Sequence, residues 1–278
     1  MKNNIGIIAF LLFTVFAFGQ QKEKVKGSKI VTIEQKEIGE FDGLEVEDNL
    51  EIFLIKGDKS GLEIEADDNL HELIDIHMNG NTLHLSATKQ VSSSKKFSVR
   101  VTYTDGFKML IAKGEASITA LAEMNVTNFT FKMYNEAKLF ANVNAKIFTL
   151  MTDDKSKTEL NLKAEETNVE MTKNSQVKAL ISSTQLKFDM YQKAKATIEG
   201  DVIDMKLRLD NNADFTGKKL TTKNMDLVAE AYSECSINVG TRLTIDAKGK
   251  SAIDLYGDQK IEMKSFLDSA TLSKKPSK

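Results

Sequence analysis

A repeat of about 19 residues in the second half of the sequence constrains the fold more than any other feature. Short segments recur there in which apolar residues alternate with polar ones. Their first residues are Phe129, Phe148, Thr167, Leu186, Met205, Met225, Leu243 and Ile261. Alternation with a period of two is typical of half-buried β-strands, whereas an amphipathic helix needs apolar residues three and four apart. A unit of this size cannot bury its own apolar face, so successive units are expected to stack.

A second column of residues keeps the same period. About eight residues after the start of each of the first seven segments stands a small residue, usually followed two positions later by an apolar one. These pairs are Ala137/Leu139, Ser156/Thr158, Ser175/Val177, Ala194/Ala196, Ala213/Phe215, Cys235/Ile237 and Ser251/Ile253, and Ala116/Ile118 is an earlier member of the same column. The sequence therefore predicts an all-β chain whose main body is a right-handed parallel β-helix, or solenoid, preceded by an irregular β-rich segment.

The residues two positions before each small residue predict the corners of the coils. They are Gly114, Asn135, Asp154, Lys173, Gln192, Asn211, Ser233 and Gly249. Most are Gly, Asn or Asp, which tolerate the left-handed backbone of a tight bend. The only proline is Pro276, and this scarcity agrees with the prediction because proline would remove a ladder donor from a strand that is paired on both sides.

The chain divides into five predicted segments. Residues 1–19 combine a lysine, an apolar run and a small-residue pattern, which is typical of a secretory signal peptide cleaved after Gly19. A membrane anchor would need a longer apolar run. The further segments are a lead-in at 20–37, a β-rich part at 38–107 that caps or merges into the solenoid, the parallel β-helix at 108–264, and a polar, loosely ordered tail at 265–278. Residues 70–78 are expected to form a short helix.

Several stretches follow one another in a characteristic order: EFDGLEV at 40–46, NLEIFL at 49–54, LEIEADDNL at 62–70, NGNTLHL at 79–85, VRVTY at 99–103 and GEASI at 114–118. In this order they resemble the head GIN domain family of "putative autotransporter adhesins", found mostly as exported proteins of Bacteroidetes. It covers about residues 38–257, although most coils have lost the motif glycine. It implies a β-helical, secreted or cell-envelope protein with a role in adhesion inferred from the family name, and it supplies no catalytic residues.

One outward column carries the candidate binding residues. Residues one period apart become neighbours in a solenoid, which places Glu170 beside Asp189 and Asp189 beside Arg208. Two carboxylates and a guanidinium could hold a cation or act as acid and base, as a polysaccharide lyase on a β-helix would require. The alternative interpretation is a solvated ladder in which Arg208 compensates Asp189, because exposed ion pairs contribute only about 0 to 1 kcal/mol.

Other functional classes find little support in the composition. The 38 basic residues are balanced by 40 acidic ones and form no basic stripe, which argues against nucleic-acid binding. Cys235 has no other cysteine to pair with and is expected to be a small buried residue. The three histidines, His71, His77 and His84, are not expected to converge on a metal. No phosphate-binding loop or nucleophile elbow appears, so no cofactor is predicted.

These observations predict an exported, non-enzymatic β-solenoid of the periplasm, cell envelope or medium, with no membrane span after cleavage of the signal. Its role would be adhesion to an unidentified cell-surface, glycan or protein ligand. Two alternatives stay open. One is a carbohydrate-active enzyme resembling a polysaccharide lyase, with a shallow site on a solenoid flank. The other is a structural protein that self-associates into a homo-oligomer through the exposed end of the stack.

Overall fold

The computed structural model describes residues 22–276, which are built almost wholly of β-strands. The signal peptide predicted at 1–19 lies outside the described residues. The strands before the regular coils are β1 Lys24–Lys26, β2 Val31–Lys36, β3 Gly43–Val46, β4 Glu51–Lys56, β5 Gly61–Asp67, β6 Ile74–Asn79, β7 Thr82–Ala87, β8 Gln90–Ser93 and β9 Phe97–Tyr103. A 3-10 turn at His71–Leu73 lies between β5 and β6.

The regular coils begin with short strands and continue with strands of 14 to 16 residues. They are β10 Met109–Ala112, β11 Ser117–Ala120, β12 Met124–Asn125, β13 Asn128–Met133, β14 Lys138–Thr152, β15 Lys157–Met171, β16 Gln176–Met190, β17 Lys195–Leu209, β18 Asp214–Ala229, β19 Glu234–Ala247, β20 Ala252–Tyr256, β21 Lys260–Phe266 and β22 Thr271–Lys274. Strands β14 to β19, which are the long ones, each pair in parallel with the strands of the coils before and after them. This arrangement confirms a parallel β-solenoid, which has about nine turns of about 19 residues.

The register of the coils follows the first predicted column. Phe129 lies opposite Phe148, Phe148 opposite Thr167, and the pairing continues through every predicted member to Ile261. The inward residues are buried and their rings pack between coils, as with Phe188 and Phe215, whose centroids are 5.5 Å apart. The period thus places even the polar Thr167 in an otherwise apolar interior column.

The corners have the left-handed backbone predicted from their sequence. The φ angles lie between +55° and +75° at Gly114, Asn135, Asp154, Lys173, Gln192, Asn211 and Gly249. One corner was assigned wrongly, because the residue with positive φ is Ala231, at +56°, and not Ser233. The pair Cys235/Ile237 is therefore misplaced by two residues, and Cys235 lies opposite Phe215. The error arises because Ser233 and Cys235 are both small residues, and each stands two positions before an inward residue, so the sequence pattern does not distinguish them.

The N-terminal part adds coils in an order that differs from the chain order. Strands β3 and β4 lie between β10 and β11 on one side and β7 and β9 on the other. Strands β5 and β6 run antiparallel to β9 and β7, and β2 runs antiparallel to β5, which closes this end of the stack. The helix expected at 70–78 is wrong: after the 3-10 turn, Ile74, Ile76 and Met78 alternate with polar residues in a strand.

A buried carboxylate fixes the lead-in to this closed end. Asp67 is fully buried, and its side chain accepts hydrogen bonds from the backbone N–H groups of Lys29, Lys95 and Lys96 at 2.9 to 3.1 Å. Burial alone would raise the pKa of Asp67, but these hydrogen bonds to the charged form keep that pKa below its usual value. Gly27 passes so close that a Cβ atom there would lie 2.0 Å from the carboxylate.

The last coil extends into the segment expected to be a loose tail. Strand β22 pairs in parallel with β20, and Ile253 lies opposite Leu272. Leu272, Ala270 and Phe266 pack against the core, since they continue the apolar pattern of the earlier coils. The structure therefore differs from the expectation at residues 265–274, which are ordered and paired.

Candidate functional site

The structure brings the three predicted site residues into adjacent coils. Glu170 lies opposite Asp189, and Asp189 lies opposite Arg208, on the outer side of β15, β16 and β17. Parallel strands in a sheet are about 4.8 Å apart, so the three side chains form one ladder along the solenoid axis. The predicted column is therefore observed as a geometric feature, while its role stays a hypothesis.

The charges in this ladder pair differently from the expected arrangement. Asp189 Oδ2 lies 2.9 Å from Lys187 Nζ on the same strand, and Arg208 Nη2 lies 2.9 Å from Glu230 Oε2. Glu230 is further bound by Lys248, at 2.6 Å. Arg208 thus compensates Glu230 rather than Asp189. Glu230 lies at the corner of the next coil, outside the predicted column, and this corner brings its carboxylate within reach of Arg208.

These contacts set the electrostatics of the flank. The hydrogen bond to Asp189 raises the pKa of Lys187, and the hydrogen bond to Glu230 raises the pKa of Lys248. Burial raises the pKa of Tyr191, and the negative charge of Asp189 adds to this shift. Each cation is held in its charged form beside a carboxylate. In the ladder, Asp189 and Arg208 each bind an opposite charge outside the predicted column, and Glu170 forms no ion pair among the described residues.

Histidines and the cysteine lie apart from this ladder. The rings of His77 and His84 stack across β6 and β7, with centroids 5.0 Å apart, while His71 is buried and its Nε2 lies 2.8 Å from Thr32 Oγ1. Within residues 22–276, no three His, Cys, Asp or Glu side chains are arranged to hold a metal ion. Cys235 is buried as predicted, and burial raises the pKa of its thiol.

A groove that the sequence reasoning missed lies on another flank. It has a volume of about 500 Å³ and crosses the outer side of β14 to β17. Its outward positions carry Phe140 and Leu180, which are 43% and 53% exposed. Between them, Asn161 Nδ2 donates a hydrogen bond to Asn142 Oδ1 at 2.6 Å. Beside these residues the groove is also lined by charged side chains, those of Glu159, Lys178 and Glu199. We call this surface the apolar groove.

The apolar groove has a sequence signal that was available. In the segment 138–145 the inward residues are Leu139, Ala141, Val143 and Ala145, and an outward position between them holds Phe140. Phe140 is a large apolar residue at a position where the alternation calls for a polar, outward-facing one. Core packing does not explain such a residue, which therefore indicates a surface contact. The same break recurs at Leu180, two coils later.

A second groove runs beside the candidate ladder. It has a volume of about 390 Å³ and is lined by side chains of both charges, among them Lys187, Lys206, Asp226 and Arg242. Arg242 Nη1 lies 3.5 Å from Asp226 Oδ1, and Asn224 donates a hydrogen bond to Asp204 at 2.9 Å. Four of its polar side chains thus bind each other in two pairs.

The fold and its grooved flanks define an elongated β-solenoid with open lateral surfaces, a scaffold suited to binding along its length. The chain belongs to the family described as "Putative auto-transporter adhesin, head GIN domain", whose model matches residues 40–258. No curated protein matches the chain. Within the part of the chain that the structure describes, none of the helical segments is long and apolar enough to cross a bilayer.

Solved structures share the fold over most of the chain. A "putative adhesin" from Parabacteroides merdae is 16% identical with a TM-score of 0.61, and the match covers 91% of this chain and 99% of that one. A "putative adhesin" from Parabacteroides distasonis is 12% identical with a TM-score of 0.64, covering 91% and 100%. A "putative lipid binding protein" from the same species is 14% identical, with a TM-score of 0.57 and coverage of 91% and 99%. At these identities the likeness shows a common fold.

Proposed function

We propose that the protein is an exported adhesion module of the cell envelope that binds an extended, uncharged ligand along the apolar groove. The observation that carries this proposal is the exposure of Phe140 and Leu180 at outward positions beside the paired carboxamides of Asn142 and Asn161. Membership of an adhesin family supports the general role. The predicted signal peptide at 1–19 supports export to the periplasm, the envelope or the medium.

The shape of the groove favours a linear ligand. Asn142, Asn161 and Leu180 lie opposite one another in three successive coils, so a chain laid parallel to the solenoid axis meets a new side chain about every 4.8 Å. Phe140 lies beside this column, two residues before Asn142 on β14. An aromatic face and a carboxamide together suit a glycan, in which apolar ring faces alternate with hydroxyl groups. A polypeptide with small apolar side chains is the protein counterpart of such a ligand.

The pairing of charges on the other flank supports a non-enzymatic role. Catalysis by proton transfer needs an acid or base within hydrogen-bond reach of one reacting atom. Asp189 and Arg208 instead bind Lys187 and Glu230. Both charges are thereby compensated by neighbouring side chains of the protein, which favours the solvated ladder over the lyase-like site.

A binding measurement with surface variants tests this proposal. We expect the double variant Phe140→Ser, Leu180→Ser to lose at least about tenfold in affinity, because truncating the exposed apolar side chains that anchor a ligand removes most of the contact energy in such sites. Beads coated with the purified protein would be measured on a printed array of neutral oligosaccharides, acidic oligosaccharides and extended polypeptides. The melting temperature should stay within a few degrees of the original, since surface changes are usually within about 0.5 kcal/mol.

The matched control is Ile203→Ser, which removes an equally exposed apolar side chain, 47% accessible, outside the apolar groove. Equal losses in both variants, or undiminished binding by the double variant, would reject the groove as the binding surface. The same array tests the lyase alternative. Cleavage of a printed glycan that disappears in Glu170→Gln or Asp189→Asn would replace the adhesion proposal with an enzymatic one.

A further inference from the structure

The two ends of the solenoid differ in how their core is closed. At the N-terminal end the antiparallel strands β2, β5 and β6 cover the first coils. At the other end the last coil is formed by β20, β21 and β22, and no described strand pairs with the far side of β21. The final coil therefore presents an open strand edge.

The open end also exposes side chains that belong to the core columns. Ile261 lies opposite Leu243, and Met263 lies opposite Ile245, so both continue inward columns. From β13 to β19 every member of these two columns is at most 3% exposed, whereas Ile261 is 44% and Met263 is 51% exposed. A parallel sheet is normally covered on all sides, and an apolar strand edge left open is a template for pairing with another chain.

We propose that this open coil is an interaction surface for a second copy of the same chain, docked end to end about a twofold axis. In this arrangement β21 pairs antiparallel with β21 of the second copy. A twofold contact uses the same patch on both copies, so the patch must be complementary to itself. Strand β21 meets this requirement over its full length in one register.

Strand length and charge complementarity together select that register. Pairing centred on Met263, the middle residue of β21, joins all seven residues of the strand and places Glu262 opposite Lys264 of the second copy, and by symmetry the reverse pair forms as well. Pairing centred on Ile261 would also oppose Lys260 and Glu262, but it would join only three residues of each strand. Pairing centred on Glu262 would instead oppose two glutamates and bring Lys260 against Lys264, which is unfavourable because like charges directly opposite destabilise a sheet. Neither Glu262 nor Lys264 takes part in an ion pair among the described residues, so both are available for this contact.

The charges on β21 also explain why this strand edge would pair with a second copy of itself rather than with other strands. Lysines on an edge strand discourage pairing with arbitrary strands. The register between β19 and β21 shifts after Met263, which leaves Lys264 without an opposite residue in β19. A strand that offers a glutamate at the matching position, as β21 of a second copy does, turns the same lysine into a specific contact. The dimer would carry two apolar grooves on one rod and so bind a polymeric ligand with avidity.

Sedimentation equilibrium with charge-reversal variants tests the proposal. We expect a concentration-dependent monomer–dimer equilibrium for the purified protein. Glu262→Lys alone and Lys264→Glu alone should each raise the dimer Kd by on the order of tenfold, since each creates two like-charge pairs. The double variant Glu262→Lys, Lys264→Glu should restore the original Kd. Glu159→Lys, an exposed reversal on β15, should leave it unchanged.

Cysteine cross-linking tests the register directly. Opposite residues in an antiparallel pair have Cα atoms about 4.5 to 5.5 Å apart, within the range of a disulfide. Met263→Cys should therefore give a covalent dimer under mild oxidation by copper–phenanthroline. Ile261→Cys should not, because in this register its two copies are about 13 Å apart. Buried Cys235 should not react in either variant.

Three results would overturn the proposal. One is a monomer at every concentration, another is a dimer indifferent to both single reversals, and the third is equal cross-linking at positions 261 and 263. All the substituted residues are exposed, so unchanged melting curves would show that the variants are folded.

Discussion

Replacing Phe188 by aspartate is expected to prevent the protein from folding in soluble form. Phe188 is fully buried, lies opposite Val169 and Leu207 in the neighbouring coils, and packs against the ring of Phe215. Losing a buried phenylalanine costs about 3 to 5 kcal/mol, and an unpaired buried carboxylate costs several more. The total is comparable with the whole stability of a typical domain, about 5 to 15 kcal/mol.

The measurement is soluble yield together with thermal unfolding by circular dichroism. The matched control is Lys206→Asp, which introduces the same charge at an outward position of β17, next to the inward Leu207. We expect the control to melt within a few degrees of the original protein. A Phe188→Asp variant with an unchanged melting curve would contradict the assignment of the interior columns.

Replacing Gly200 by alanine is expected to lower the melting temperature by about 6 to 12 °C, which corresponds to about 3 kcal/mol for a protein of this size. Two effects combine there. Gly200 has φ of +117°, a conformation that residues with a Cβ rarely adopt, and an added Cβ would lie 2.1 Å from the carbonyl oxygen of Ile181 in the preceding coil. Backbone strain and the clash between coils each contribute about 1 to 3 kcal/mol.

Gly240→Ala provides the comparison for this change. Gly240 also lies in a coil strand, but the nearest atom to its Cβ position is the carbonyl oxygen of Thr222 at 3.8 Å, an ordinary contact. We expect its melting temperature to stay close to the original. Equal shifts in the two variants would show that close approach between coils at Gly200 is not the cause.

The regular coils could be predicted from the sequence because residues that are one period apart along a solenoid chain are neighbours in space. Thr167 shows this clearly: its polarity hides it from a search for apolar residues, but its distance from Phe148 and Leu186 assigns it to their column. The corners were predictable for a similar reason, since backbone with positive φ restricts residue choice. The single misplaced corner, at Ala231, falls where two small residues, Ser233 and Cys235, fit the predicted column equally well.

Other features depend on contacts that a period does not contain. The N-terminal coils stack out of chain order, with β3 and β4 between β7/β9 and β10/β11, so no constant spacing identifies them. Glu230 binds Arg208 from a corner rather than from the same column. The apolar groove depends on the outward positions of Phe140 and Leu180, and these positions can be recognised only once the inward and outward faces of the strands are known.

The stacking of one coil per repeat is the claim on which the groove and the end-to-end contact both depend. Spin-label distances along one outward column test it most directly. Lys138, Lys157, Gln176, Lys195, Asp214 and Glu234 follow one another in register, one coil apart. The expected distances at about 4.8 Å per coil are about 19 Å for the pair at 138 and 214 and about 24 Å for the pair at 138 and 234.

The labels would be placed as Lys138→Cys with Asp214→Cys or with Glu234→Cys, and labelled protein would be diluted with unlabelled protein to remove contacts between copies. Buried Cys235, whose thiol pKa burial raises, should remain unlabelled. Narrow distance distributions that differ by about 5 Å between the two pairs are the predicted result. Equal distances for the two pairs, or broad distributions extending well beyond 24 Å, would contradict the stacked-coil account.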